Sequence, residues 1–194
     1  MPPLSVRVLA AGGRVLGEIS AVPQIRVCGP VFEAKPEDKT DNVNSVGVVL
    51  RFGPFKFFDG GDLTWNIENR LVCPNRVVGS VDVYQVDHHG LDISANPVLI
   101  NALRPRVALI NDGPRKGGEA MAFATLKSNR DIEAIYQLHR NVRTTDKNNA
   151  PPDFVANDEE ACQGNFIKLS VDPTGKSYTV TIPAKQISRT YRTR

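Results

Sequence analysis

Hydrophobic and polar positions along the chain fall into short blocks, most of them of strand length. Residues 4–28 alternate loosely between apolar and polar. Ser5-Val6-Arg7-Val8-Leu9 and Arg14-Val15-Leu16 flank Ala10-Ala11-Gly12-Gly13, which predicts a hairpin. Ile25-Arg26-Val27-Cys28 predicts a further strand. Residues 33–44 hold charges, a proline and two asparagines, and predict a loop. Val46-Gly47-Val48-Val49-Leu50 is a continuous apolar run, Gly53-Pro54 turns the chain, and Phe55-Lys56-Phe57-Phe58 returns. A strand apolar on both faces belongs inside a layered fold, covered on each side.

Further on, residues 67–72 predict a short helix and residues 81–86 a buried strand. Asn96 is a good helix cap and Pro97 suits the first helical position. A helix over 97–103 with an apolar face follows, ended by Arg104-Pro105, and then a strand over 107–110. This strand–helix–strand order argues for an α/β layer. Residues 119–128 and 131–140 predict helices, the second with Ile132, Ile135, Tyr136 and His139 at helical spacing. Residues 141–160 are polar, contain Pro151-Pro152 and predict a long surface loop. Residues 166–171 and 177–182 alternate around Asp172-Pro173-Thr174-Gly175, which predicts a closing hairpin.

Composition narrows the classes. The 194 residues fit one domain or a large piece of one. With 41% hydrophobic and 23% charged residues the chain reads as soluble and globular. A net charge of +3 is too small to imply nucleic-acid binding, and nucleic acid is not an expected partner. The basic end Arg189-Thr190-Tyr191-Arg192-Thr193-Arg194 reads as a solvated tail. Cys28, Cys73 and Cys162 form no Cys-x-x-Cys pair, so they read as scattered structural or inert thiols. No apolar run reaches about 18 residues, so no membrane span is expected. The start, Met1-Pro2-Pro3-Leu4, lacks the charged and apolar regions of a signal peptide.

The chemistry concentrates at strand ends. Asp62 stands in Asp59-Gly60-Gly61-Asp62, where glycine lets the backbone approach a ligand or take positive φ. Such a carboxylate serves as metal ligand or base, or else as a turn aspartate capping backbone N–H groups. His88 and His89, two of only three histidines, precede Gly90 at another strand end. Adjacent histidines on an extended segment point to opposite faces, so either one binds a metal while the other packs or supports it, or the two are an ordinary turn pair. Asn111, Asp112, Arg115 and Lys116 mark a third strand end. There Arg115-Lys116-Gly117-Gly118 is either a loop for a phosphate or substrate carboxylate, or an ordinary basic loop. His139 reads as a core or surface histidine. Ser94 and Cys73 lack a frame such as Gly-x-Ser-x-Gly, which sets covalent catalysis aside.

Asn42-Val43-Asn44-Ser45 with its strand, then Gly61-Asp62, then His88-His89-Gly90, then the run 103–113 resemble, in order and spacing, the metallo-β-lactamase superfamily. The closest likeness is to the branch related to the metallohydrolase domain of competence DNA-uptake proteins. The resemblance covers residues 42–113 and, more loosely, the terminal hairpin. It implies an α/β fold, an αββα sandwich with a mixed sheet flanked by helices. It also implies one or two zinc ions, with Asp62 as bridging ligand and His88, or His89, as the last histidine ligand. Asp62, His88 and His89 would then form the catalytic set, and Asn111, Arg115 and Lys116 would contact substrate. No histidine precedes His88, so the family's His-x-His-x-Asp-His is absent. The chain therefore resembles the C-terminal half of such a hydrolase, residues 1–194 forming one partial domain. The implied substrate is a small molecule or phosphoester. The implied partner is a complementary N-terminal half or a second copy. The competing expectation is a non-catalytic module for binding or oligomerisation, since a half sandwich exposes an apolar sheet face.

Overall fold

The blocks read from the sequence become strands of one large sheet. The computed structural model describes residues 1–16, 33–74 and 76–194. The opening hairpin forms β1 (Leu4–Ala11) and β2 (Arg14–Val15). The apolar runs around Gly53-Pro54 form β3 (Gly47–Phe52) and β4 (Phe55–Asp59), followed by helix α1 (Trp65–Arg70). Then come β5 (Val83–Gln85), α2 (Pro97–Leu103), β6 (Val107–Ile110), α3 (Ala120–Ser128), β7 (Ala134–His139) and β8 (Val155–Asn157). The chain closes with β9 (Lys168–Val171), β10 (Ser177–Ile182) and β11 (Ile187–Arg192). The strand expected at residues 25–28 lies outside the described residues.

The fold is α/β. Strands β2-β1-β3-β4-β5-β6-β7-β8 form one mixed eight-stranded sheet, and β11-β10-β9 a separate three-stranded sheet. The first four strands pair antiparallel, whereas β4 to β8 run parallel. The expected crossover is present. Asn96 accepts from the Val98 N–H at 2.8 Å to start α2, and Arg104 ends it in the left-handed conformation. Strands β5 and β6 then pair in parallel.

Strand alternation sorts side chains onto two covered faces. On one, Phe58, Tyr84 and Ala108 pack with Ile67 of α1, Leu99 and Leu103 of α2, and Phe123 and Leu126 of α3. On the other, Val83, Val107, Tyr136 and Ala156 pack with Tyr178, Val180 and Ile182 of β10. The layers are therefore helix, sheet, sheet. This explains strands that are apolar throughout rather than alternating.

Four expectations are corrected. Residues 131–140 are not a helix. Ala134, Tyr136 and Leu138 face the small sheet and Ile135 the helices, and β7 pairs with β6 and β8. A short apolar segment between two parallel strands takes the conformation its neighbours template, whatever helical spacing it also contains. Residues 141–160 are not simply a surface loop, because Val155, Ala156 and Asn157 are buried in β8. Buried Asn141 and Asn149 replace missing backbone partners: Asn149 Oδ1 accepts from the Asn141 N–H at 2.8 Å, and Asn141 Nδ2 donates to the Gly117 carbonyl at 2.8 Å. The basic tail is not a solvated end. It forms β11, and Arg194 N–H donates to Asp82 Oδ1 at 2.8 Å. Finally, Cys73 is disulfide-bonded, while Cys162 is an exposed free thiol and Cys28 lies outside the described residues.

One part of the second face stays bare. Among the described residues β2 pairs with β1 only at Ala10 and Ala11, the Leu16 N–H donates to the Leu9 carbonyl at 2.7 Å, and the outer edge of residues 4–8 has no partner strand. Leu4, Val6 and Val8, exposed at 63%, 59% and 42%, lie on the same face as Phe52, Leu50 and Val48 opposite them. Among the described residues no helix is long and apolar enough to cross a membrane.

The two sheets meet tightly at Gly175, which has φ +73°; a Cβ there would stand 2.3 Å from the Phe52 carbonyl oxygen. Gly175→Ala is expected to cost about 2 kcal/mol or more, from left-handed strain plus the clash. Denaturant unfolding that shows a change under about 0.5 kcal/mol would contradict this placement.

Candidate functional site

Parallel strands end on one edge of a sheet, and in α/β folds the crevice beyond those carboxyl ends is where ligands bind. Here β4, β5 and β6 are neighbours, so their following turns lie side by side. These turns are Gly60-Gly61-Asp62, Asp87-His88-His89-Gly90 and Asn111-Asp112-Gly113. The tertiary structure thus brings together the three strand ends singled out in the sequence.

Asp87 joins the first two turns. Its Oδ1 accepts from the Gly60 N–H at 3.1 Å. A Cβ on Gly60 would lie 2.4 Å from that oxygen, so only glycine fits. The His88 N–H donates to the Gly61 carbonyl at 2.8 Å. The Asp62 N–H donates to Ser45 Oγ at 3.2 Å. The third turn closes from the other side: the Gly118 N–H donates to the His89 carbonyl at 2.9 Å and the Glu119 N–H to that of Gly90 at 2.9 Å. A Cβ on Gly117 would meet the His89 carbonyl oxygen at 2.3 Å. The glycines of Arg115-Lys116-Gly117-Gly118 therefore support the histidine turn.

The two histidines are not on an extended segment. His88, His89 and Gly90 are all left-handed, with φ of 53°, 58° and 74°. Each non-glycine residue so held costs roughly 1–3 kcal/mol, and such strain clusters at functional sites. The turn sends the rings apart, with centroids 6.3 Å from each other. His88 is buried and His89 is half-exposed.

Hydrogen bonds assign both tautomers. Ser94 Oγ donates its single proton to the Leu63 carbonyl at 2.7 Å, so toward His88 Nδ1, 3.4 Å away, it can only accept. That places the His88 proton on Nδ1 and leaves Nε2 to accept from Asn42 Nδ2 at 3.2 Å. Burial holds the His88 pKa below the usual imidazole value, which favours this neutral form. His89 Nδ1 donates to the Asn111 carbonyl at 2.7 Å. In the neutral ring Nε2 then carries the lone pair, and it faces Asp62 Oδ1 at 3.7 Å.

Other expected residues are placed differently. Asn111 contributes through its backbone carbonyl. Arg115 is exposed and paired with Glu160. Lys116 accepts the Gly113 N–H at 2.8 Å through its carbonyl, and its charge bears on His88. Buried Asp112 accepts from the His139 N–H at 2.9 Å and Gln137 Nε2 at 3.1 Å, which ties the third turn to β7. His139 is buried on β7, away from the pair's hydrogen bonds. Among the described residues no group of three His, Cys, Asp or Glu side chains is arranged to hold a metal.

Sequence reasoning missed Asn42, Ser94, Asp87 and Glu68. Asn42 and Ser94 stand within the motifs that carried the resemblance, and Ser94 orients His88 instead of acting as a nucleophile. Nothing local flags Glu68. It is fully buried on α1 and accepts from the N–H groups of Ala95 and Asn96 at 2.9 and 2.8 Å.

Glu68 and Asp87 form a buried acid pair. Burial pushes the Asp87 carboxyl well above the usual range, and Glu68 beside it adds to the rise. Burial also raises Glu68 to about 7, although hydrogen bonds from Asp87, Asn96 and Ala95 draw it back. Asp87 therefore keeps its proton, and its Oδ2 has no hydrogen-bond partner among the described residues. The native state keeps this proton while the unfolded chain releases it above about pH 4. Native stability is thus largest below about pH 4 and falls as pH rises from there toward the raised native value, by up to about 1.4 kcal/mol per pH unit for one proton. Asp87→Asn, which has no proton to lose, is expected to flatten that fall and to gain on the wild type as pH rises. Denaturant unfolding with parallel pH slopes in both proteins would refute the shared proton.

No protein-family model matches the chain, and no curated protein sequence matches it.

Proposed function

We propose that the chain is the C-terminal portion of a metal-dependent hydrolase of the metallo-β-lactamase superfamily, with the αββα sandwich of that family, and that Asp62 and His89 are metal ligands. The observation that carries this reading is the pair of acceptors, His89 Nε2 and Asp62 Oδ1, facing each other at 3.7 Å. The pair takes either a proton or a metal ion, and its spacing suits a metal ion. Two ligands of one tetrahedral zinc, each about 2.0–2.1 Å from it, stand roughly 3.4 Å apart. The other nitrogen of His89 is tied to a backbone carbonyl, as in metal-bound imidazoles generally. The strand-end position and the helix, sheet, sheet layering support the reading further.

The donor set fits two ligand positions. When bound, zinc would lower the pKa of a water and polarise the scissile group. Asp62 and His89 would hold the ion, and the Asn111 carbonyl keeps Nε2 of His89 turned toward Asp62. The sequence favoured His88 as ligand. The geometry favours His89, because His88 Nε2 already accepts from Asn42. His88 lies against this edge as a neutral acceptor oriented by Ser94 and Asn42. A catalytic zinc takes three protein ligands and a water, so the remaining ligand is assigned to a complementary N-terminal portion. The test is zinc titration of the chelator-treated chain, followed by the NMR signals of the histidine rings. His89 is expected to shift first, and Asp62→Ala to weaken the effect by about tenfold or more. Rings that stay unmoved, or that respond alike in Asp62→Ala, would refute the ligand assignment.

The bare stripe favours a second reading, a binding or oligomerisation module. An open, apolar edge strand is a template for pairing. Antiparallel pairing of two copies of β1 about Val6 sets Val8 opposite Leu4 and Arg7 opposite Ser5, which keeps like charges apart and joins both stripes. Light scattering is expected to show a dimer that Val6→Lys converts to monomer. A wild type that stays monomeric at high concentration would remove this reading.

A further inference from the structure

At the far end of the eight-stranded sheet from the histidine turn, three cations converge with no acid among the described residues that line their cavity. The register places Ser5 opposite Arg51 and Arg51 opposite Lys56, with Val49 opposite Arg7, so all share the helix-side face. Arg7, Arg51 and Lys56 line a cavity of about 200 Å³. Its floor is apolar, built from Leu9, Val49 and Val81, and its wall is the segment 77–80. Among the described residues no carboxylate lines it. Among the described residues, none of the three cationic heads has an ion pair or a hydrogen bond. Asp82, whose carboxylate feels the Lys56 charge, is already engaged: its Oδ2 accepts the Lys56 N–H at 2.8 Å and its Oδ1 the Arg194 N–H at 2.8 Å.

Like charges placed opposite one another in a sheet repel. A low-dielectric wall beneath them focuses their field on whatever enters the cavity. The loop adds a second feature. The space beside Gly79 is open, with nothing within 4 Å of where a Cβ would stand. The backbone N–H groups of Gly79 and Ser80 make no hydrogen bond among the described residues. Two arginine forks, an ammonium and uncommitted amides are what a tetrahedral oxyanion needs, since guanidinium groups bind phosphate oxygens in pairs.

We propose that this cavity is a binding site for a phosphoryl dianion, either free phosphate or the phosphate of a small monoester, recognised by Arg7, Arg51 and Lys56. It stands apart from the Asp62–His89 edge and does not depend on the metal reading. The test uses the whole chain in excess chelator at constant ionic strength. Thermal unfolding and calorimetric titration compare inorganic phosphate, glycerol phosphate, acetate and chloride. Phosphate is expected to raise the unfolding midpoint and acetate to leave it near the chloride value. Arg51→Gln should weaken phosphate binding by about tenfold or more, whereas Arg130→Gln, an exposed arginine elsewhere, should not. Without phosphate, Arg51→Gln should unfold at a higher midpoint than wild type, because a repulsion has been removed. Tighter binding of glycerol phosphate than of phosphate would assign the site to a monoester, and the reverse to the free anion. Asp62→Ala should keep the whole phosphate effect, which separates failure of the metal reading from failure of this one. Equal midpoints in phosphate and chloride, or equal losses in Arg51→Gln and Arg130→Gln, would overturn the proposal.

Discussion

The carboxyl of Asp87 is the tie on which the candidate site depends. One oxygen holds the Gly60 N–H, so the turn after β4 and the turn after β5 move as one body. The other oxygen lies toward Glu68, which in turn holds the N–H groups at the entry to α2. A single buried acid pair therefore links two strand ends and two helices. Its shared proton removes most of the charge that burial would otherwise penalise. The contact also explains why glycine stands at position 60, where any side chain would collide with the acid.

On this base the histidine turn can hold an unfavourable conformation. Two adjacent left-handed histidines would relax if the surrounding bonds did not over-determine them. The bonds come from every side: Gly61 accepts from His88, Gly118 donates to His89, and Glu119 donates to Gly90. Beyond the turn, Asp92 accepts from the Ala122 N–H at 3.0 Å, which caps α3 from outside its own segment. The strained backbone aims the rings in different directions. One is buried with its tautomer fixed, and the other reaches Asp62.

The layering divides the sheet between two environments. Its parallel half is covered on both faces and carries the site. Its antiparallel half keeps an apolar stripe on one face and a basic cavity on the other. Both features sit on β1, β3 and the start of β4, away from the histidine turn, so three distinct surfaces share one sheet.

The sequence by itself determined the local elements whose signals are short-range. The hairpins, the apolar strands around Gly53-Pro54, the Asn96-Pro97 helix start and the strand–helix–strand unit all follow from turn chemistry and alternation within a few residues. It also marked Asp62, His88 and His89, because glycine next to a polar strand end is a local pattern. What it could not decide depended on partners far along the chain. Residues 134–139 became a strand because β6 and β8 flank them. Asn141 and Asn149 became buried because their amides stand in for missing backbone bonds. The tail was pinned by Asp82, more than a hundred residues earlier. The different surroundings of His88 and His89 are set only in three dimensions. Their sequence neighbourhoods are nearly the same, but Ser94 and Asn42 converge on one ring, and Asn111 and Asp62 on the other. Hydrogen bonds between distant segments, formed only once the strands lie in register, carry information that no local pattern of side chains holds.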